Sequence, residues 1–211
     1  MAIIAPTITA YDEATYKEQM KLVARFAERV HIDLMDGEFA PTTSPPLDRI
    51  WWPHHLIVDL HLMYQRPMEH LDTILHMKPH PHMVIVHNEA EAHHMHLAAE
   101  LHKEGIKTGL AVLQDTPIEW AEQIMHSFDH VLIFSGDLGH HGGEADLRLL
   151  EKAVFLHKAH PEVEVGWDGG INLANAHELA AAGVDVLNVG GGIHKADSPQ
   201  AAYATLKKTL Q

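Results

Sequence analysis

HIDLMDG, residues 31–37, decides the fold. Apolar residues alternate here as in a β-strand, yet the positions between them are His31, Asp33 and Met35. VDLHLM, residues 58–63, repeats the arrangement with Asp59, His61 and Met63. VGWDGG, residues 165–170, places Gly166 and Asp168 on one face and Val165 and Trp167 on the other. Side chains in a strand alternate between two faces, so Ile32 and Leu34 point one way while His31, Asp33 and Met35 point the other. Both faces of such strands are expected to be covered. Burying an unpaired carboxylate or imidazolium costs several kcal/mol in practice. The ionisable face therefore needs a partner.

Five further apolar runs complete a set of eight strand candidates. In chain order the eight are 3–8, 30–35, 57–63, 83–87, 108–112, 131–135, 163–167 and 184–189. Between them lie stretches with helical spacing: Met20, Val23 and Ala27; Met95, Ala98 and Leu101; Leu147, Leu150 and Val154; Leu179 and Ala182. A last helix is expected from about Pro199 to Leu210, with Ser198 placed to cap it. The interval 38–55 is longer and holds only a short helical piece around residues 47–51. Strand–helix alternation with eight strands in 211 residues predicts one (β/α)8 TIM barrel over residues 1–211, with a doubly wound open sheet as the alternative. No composition shift or repeat divides the chain. In a barrel, chemistry sits at the C-terminal ends of the strands. His31, Asp33, His61, His87 and Asp168 all fall there.

Composition narrows the classes of function. A formal charge of −14 argues against binding nucleic-acid backbones or anionic membranes. No run approaches the roughly 18 to 20 apolar residues that a membrane span needs. MAIIAPTITAYDE at the N-terminus lacks the charged and apolar regions of a signal peptide, so a cytoplasmic protein is expected. The absence of cysteine excludes disulfide and thiol chemistry. Histidine is abundant, 21 residues, and most are read as surface residues on helices and loops.

Two carboxylates and two imidazoles converging at one barrel mouth suit a divalent metal ion such as Zn²⁺, Fe²⁺, Mn²⁺ or Co²⁺. Spacing alone also leaves open an ion-paired histidine–aspartate network without metal. The chain resembles the ribulose-phosphate 3-epimerase family over essentially its whole length. The resemblance is carried by AP in the first strand, HIDLMDG with Phe39 and Pro41, and DLHLM with Pro67. VHNE, GLAVLQDTP, DGGI (168–171) and AAGVDVLNVGGGI complete it.

The resemblance implies that His31, Asp33, His61 and Asp168 ligate one divalent metal ion. Asp33 and Asp168 would also be the two acid–base groups, on opposite sides of the reacting carbon. It further implies that Thr7, Met35, Met63 and His87 contact substrate. Main-chain N–H groups of Gly142 and Gly143, Gly169 and Gly170, and Gly190 and Gly191 would hold a phosphate. The implied reaction removes a proton beside a ketone and returns one on the other face through a cis-enediolate, with D-ribulose 5-phosphate and D-xylulose 5-phosphate as default pair. Asp36 is expected to orient His31 or the loop. The expected partners are this ketose phosphate and further copies of the chain in a homo-oligomer.

The chain departs from the family pattern around the phosphate. TITAYD stands where the family has S-x-L-S-A-D, and FSGDLGHHGGE replaces M-T-V-N-P-G-F-G-G-Q and is about one residue longer. Gly190-Gly191 stands for Gly-Ser. Three alternatives follow: an epimerase of another ketose phosphate such as a hexulose 6-phosphate, a decarboxylase or aldolase on a related barrel, or a silent sugar-phosphate-binding homologue. The second typically uses an Asp-x-Lys pair, and His61 stands where that lysine would be.

Overall fold

A computed structural model describes residues 2–210. Eight parallel strands close into a barrel in chain order: β1 (Ile3–Thr9), β2 (Arg29–Met35), β3 (Ile57–Met63), β4 (Met83–His87), β5 (Lys107–Val112), β6 (His130–Phe134), β7 (Glu164–Asp168) and β8 (Val186–Val189). The helices between them are α1 (Glu13–Val23), α2 (Leu71–His76), α3 (His94–Lys103), α4 (Ile118–Met125), α5 (Leu150–Ala159) and α6 (Ala176–Ala181). After β8 come α7 (Gly191–His194) and α8 (Pro199–Thr209). The crossover after β2 carries only a single 3₁₀ turn, Leu47–Arg49. Closure excludes the open sheet.

The outward strand face forms the main core. Ile32, Leu34, Val58, Leu60, Val84, Val86, Val165 and Trp167 pack there against the helices. On α1 the matching stripe is Tyr16, Met20 and Val23, spaced four and three apart as one helix face requires. Helix starts follow local chemistry: Asp12 Oδ1 accepts from Thr15 N at 2.8 Å, and the Ser198 side chain caps α8.

The inward face divides by depth. Met83, Ile85, Ala111 and Leu132 form an apolar layer in the lumen. Gly166 leaves room for the His130 ring, since a Cβ there would stand 2.4 Å from Nε2. Below lies a charge-balanced polar group from the strand starts. Arg29 Nε donates to Asp59 Oδ2 at 2.6 Å, and its two terminal nitrogens donate to the Glu164 carboxylate at 2.8 Å each. His130 Nδ1 is 2.8 Å from Glu164 Oε2. Above the layer lies the mouth.

Candidate active site

Register assembles the mouth. Thr7 pairs with His31 and Thr9 with Asp33. Asp33 pairs in turn with His61, and Met35 with Met63. On the far side Asp168 lies between Phe134 and Asn188. His31, Asp33, His61 and Asp168 are all buried, and one donor atom from each lies within 4.8 Å of the others. His31 Nε2 is 3.3 Å from Asp33 Oδ1 and 3.7 Å from Asp168 Oδ2. His61 Nδ1 is 3.0 Å from Asp33 Oδ1 and 3.8 Å from Asp168 Oδ2.

These separations suit donors arranged about a common centre at bond lengths of about 2.0–2.2 Å. The donor set passes a further test. Both nitrogens of His31 are buried and make no hydrogen bond among the described residues. Leaving them so is costly unless something accepts the Nε2 lone pair. The four residues form a buried group that could hold a metal ion.

Electrostatics separates the two carboxyl groups. Burial favours a neutral Asp33, but contacts from His31 and His61 outweigh it and hold the group well below the usual carboxylate range. Burial and the nearby Asp33 charge push Asp168 the other way, up to about 7. Burial opposes a charge on His31, yet the surrounding carboxylates raise its pKa. His61 is pushed down to about 3, first by burial and then by its histidine neighbours, against the pull of Asp33. Two carboxyls with pKa values driven apart is the arrangement acid–base pairs use.

Residues behind the mouth set its geometry. Thr9 Oγ1 donates to Asp33 Oδ2 at 2.7 Å, which leaves Oδ1 turned to the imidazoles. His61 Nε2 lies 2.9 Å from His87 Nε2, and His87 Nδ1 lies 3.6 Å from Glu89 Oε2. Without a metal ion the 3.0 Å contact to Asp33 Oδ1 calls for a proton on His61 Nδ1; an ion there would require the other tautomer, with Nε2–H donated to His87. His87, expected at the substrate, stands behind His61 instead, because the Phe39 ring packs over it at 4.7 Å. Met35 is also set back, packed with Met63 and Ala40, while Met63 itself lines the mouth. Asp36 serves the loop. It accepts from the N–H groups of Glu38, Phe39 and Gln65 at 2.8, 2.8 and 2.6 Å.

A cavity of about 250 Å³ opens above Asp33 and Asp168. Thr7 and the expected glycines Gly142, Gly143, Gly169, Gly170, Gly190 and Gly191 all line it. Gly169 and Gly170 adopt φ of +111° and +70°, and a Cβ would strike the backbone of Gly136 and Ala145 at 2.2 and 1.9 Å. The loops after β6 and β7 thus touch main chain to main chain. The altered β6 loop is moored across the mouth by Thr42 Oγ1, which donates to the Gly139 carbonyl at 2.5 Å. Sequence reasoning missed Thr9, Glu89, Asn188 and Lys195. Period two marks Thr9 as sharing the face of Thr7, and Asn188 is a lone amide inside the apolar run VLNV. Lys195 carried no signal; its Nζ lies 3.3 Å from where a Cβ on Gly142 would stand.

A closed (β/α)8 barrel with a His₂Asp₂ group at its C-terminal mouth defines a class of barrel enzyme. Residues 3–194 match the Ribulose-phosphate 3 epimerase family, and the chain belongs to it. The protein is thus an isomerase acting on carbohydrates. Ribulose-phosphate 3-epimerase of Aquifex aeolicus (strain VF5) is 31% identical, covering 100% of this chain and 97% of the relative. The enzyme of that name from Schizosaccharomyces pombe is 27% identical, covering 99% and 94%. Among solved structures, 3-keto-L-gulonate-6-phosphate decarboxylase from Vibrio cholerae superposes with a TM-score of 0.71 over 99% of this chain and 97% of that one. At 11% identity that likeness concerns the fold alone. Among the described residues, no helix is long and apolar enough to cross a membrane.

Proposed function

We propose that the protein is a metal-dependent 3-epimerase of a ketose phosphate, with D-ribulose 5-phosphate and D-xylulose 5-phosphate as the pair. The observation that carries this is the junction of two things: four buried donors within 4.8 Å, and a cavity directly above their two carboxylates. The family and the names of the two relatives supply the substrate.

A divalent ion held by His31, Asp33, His61 and Asp168 would supply Lewis acidity towards the ketose oxygens. The carboxylates do the proton work. Asp33 is kept ionised by the imidazoles and accepts a proton from the carbon beside the ketone. Asp168 delivers one to the other face. The two come from β2 and β7, with β1 and β8 between them on the shorter way round, so a flat substrate lodged between them offers a face to each. In the reverse direction the roles exchange. Met63 and the buried Met35 supply a polarisable apolar flank that does not compete for the proton. The glycine-lined corner takes the phosphate through main-chain N–H groups, with Lys195 beside it as a side-chain cation.

A decarboxylase on the same fold lacks support, since His61 occupies the position of the required lysine. The test is a panel of ketose 5- and 6-phosphates with the protein loaded in turn with Zn²⁺, Fe²⁺, Mn²⁺ and Co²⁺. Inversion at C3 and exchange of its hydrogen in deuterated water are expected for the pentulose phosphate. Failure to exchange C3–H on every compound with every ion would falsify the proposal, and faster turnover of a hexulose 6-phosphate would reassign the substrate.

A further inference from the structure

Asn188 stands out within the mouth. It is 2% exposed and flanked on β8 by the buried apolar residues Leu187 and Val189. It lines the cavity, and its side-chain Oδ1 has no hydrogen-bond partner among the described residues. A buried amide left open in this way is costly, so the position implies a ligand group. Thr7, whose buried Oγ1 is also unpartnered among the described residues, lines the same cavity from β1. The cavity floor thus offers two unmet polar side chains beside the metal-ready group.

The chemistry of the amide narrows what it meets. A carboxamide presents a donor and an acceptor side by side. A phosphate dianion would satisfy only the donor, whereas an alcohol both gives and takes. Position narrows it further. Asn188 lies beside Asp168 in register. Gly190 follows two residues later, about 7 Å further along the strand at about 3.3 Å per residue. A ketose phosphate with its reacting carbon at Asp33 and Asp168 and its phosphate at the glycine corner brings the carbon between them past Asn188.

We infer that Asn188 is a specificity-determining residue that hydrogen-bonds the hydroxyl on the carbon between the epimerised carbon and the phosphate-bearing end, C4 of a pentulose 5-phosphate. The inference rests on the epimerase assignment above. Two amides line the cavity; Asn172 is engaged by the Gly170 carbonyl and the Ala174 N–H, which leaves Asn188, next to Asp168 in register, as the one with an unpartnered oxygen among the described residues.

The experiment compares D-ribulose 5-phosphate with its 4-deoxy analogue on the metal-loaded wild type and on Asn188→Val. Valine is apolar, close in volume and favourable in a strand. The wild type should prefer the full substrate by about 10–100-fold in kcat/KM, the range of one buried hydrogen bond lost from an unpaired group. Asn188→Val should lose that factor on the full substrate, turn over the analogue as well as the wild type does, and so lose the preference. Asn188→Thr, which restores a hydroxyl on a strand-forming side chain, should recover part of it and stands in if the valine variant melts early. A variant that keeps the preference, or that slows both substrates equally, overturns the assignment while leaving the epimerase intact. If the wild type exchanges C3–H on neither compound, the epimerase proposal falls and this assignment with it.

Discussion

The two ends of the barrel lumen are built from the same strands and solve opposite problems. β2 supplies Arg29 to the floor and His31 and Asp33 to the mouth; β3 supplies Asp59 and then His61; β7 supplies Glu164 and then Asp168. At the floor the protein brings its own cation. Arg29 bridges Asp59 and Glu164 with three hydrogen bonds, and the Glu164 carboxyl is held well below its ordinary range: burial opposes the charge, but Arg29 and His130 outweigh it. At the mouth two carboxylates face two imidazoles, no lysine or arginine among the described residues pairs with them, and the nitrogens of His31 make no hydrogen bond there. The Met83, Ile85, Ala111 and Leu132 layer lies in the lumen between the two groups. The comparison teaches that a buried charge cluster is structural when its own side chains balance its charge. It is functional when it needs something from outside.

The largest effect that can break this comparison is on turnover. Asp33→Asn and Asp168→Asn keep an oxygen near the metal but cannot take a proton. Each should lower epimerisation by more than 10⁴-fold, beyond the roughly 10²–10⁴ usual for one general base, because ion binding also weakens. The revealing measurement is hydrogen exchange at C3 in deuterated water. With one carboxylate lost, the other still washes deuterium into one epimer, so the two variants should exchange from opposite epimers. A pair in which one variant is inert and the other nearly normal would mean a single base, and the symmetry of the mouth would be illusory.

Next in size is the stability contrast. Arg29→Met strands the buried Asp59 carboxylate and the half-buried one of Glu164 and should cost about 3–5 kcal/mol in denaturant unfolding. Metal affinity, read by competition with a chromophoric chelator, should not change. Removing the metal ion tests the other end: at an ion concentration about 100 times Kd the bound form gains about 2.7 kcal/mol, so chelation should lower stability by that amount. Asp168→Asn should blunt this response while Arg29→Met leaves it whole. Chelation that leaves the melting curve of the wild type unmoved would remove the metal from the mouth.

The same contrast explains what could be read in advance. The barrel was legible because eight short apolar runs alternate with helical spacing, and the mouth because His31, Asp33, His61 and Asp168 interrupt those runs where solvent-facing residues have no place. The floor escaped notice for the converse reason. Arg29, His130 and Glu164 stand at strand starts, where a charge reads as an ordinary exposed end, and only closure of the barrel turns them inward. Period two assigns a face but not a depth or a neighbour. That is why His87 was placed on the right face yet stands behind His61, shut off by Phe39, a loop residue whose packing no strand pattern encodes. Lys195 reaches the glycine corner only because α7 turns back over it. The moored β6 loop likewise depends on Thr42, 97 positions away in the chain from Gly139.

The smallest effect, and the finest test, is the sign of the pH dependence in the metal-free protein. The Glu164 pKa is depressed on folding, so its stabilising contribution is present above its ordinary value of 4.5 and is lost as pH falls. Asp168 is raised from 3.8 to about 7, so its contribution is full below about pH 4 and is lost as pH rises through 7. One proton limits either slope to about 1.4 kcal/mol per pH unit. Glu164→Gln should therefore be less stable than the wild type at neutral pH, with the deficit shrinking in acid. Asp168→Asn, with chelator present, should match the wild type near pH 4 and exceed it by pH 8, where the parent chain holds two buried carboxylates that no lysine or arginine among the described residues pairs with. Adding Zn²⁺ should reverse only the second difference, because the ion supplies to the mouth what Arg29 supplies permanently to the floor. Urea unfolding at pH 4, 6 and 8 reads all of this. If both variants drift from the wild type in the same direction with pH, the two ends do not differ in how their charge is balanced, and the distinction between self-balanced and unbalanced clusters does not hold for this barrel.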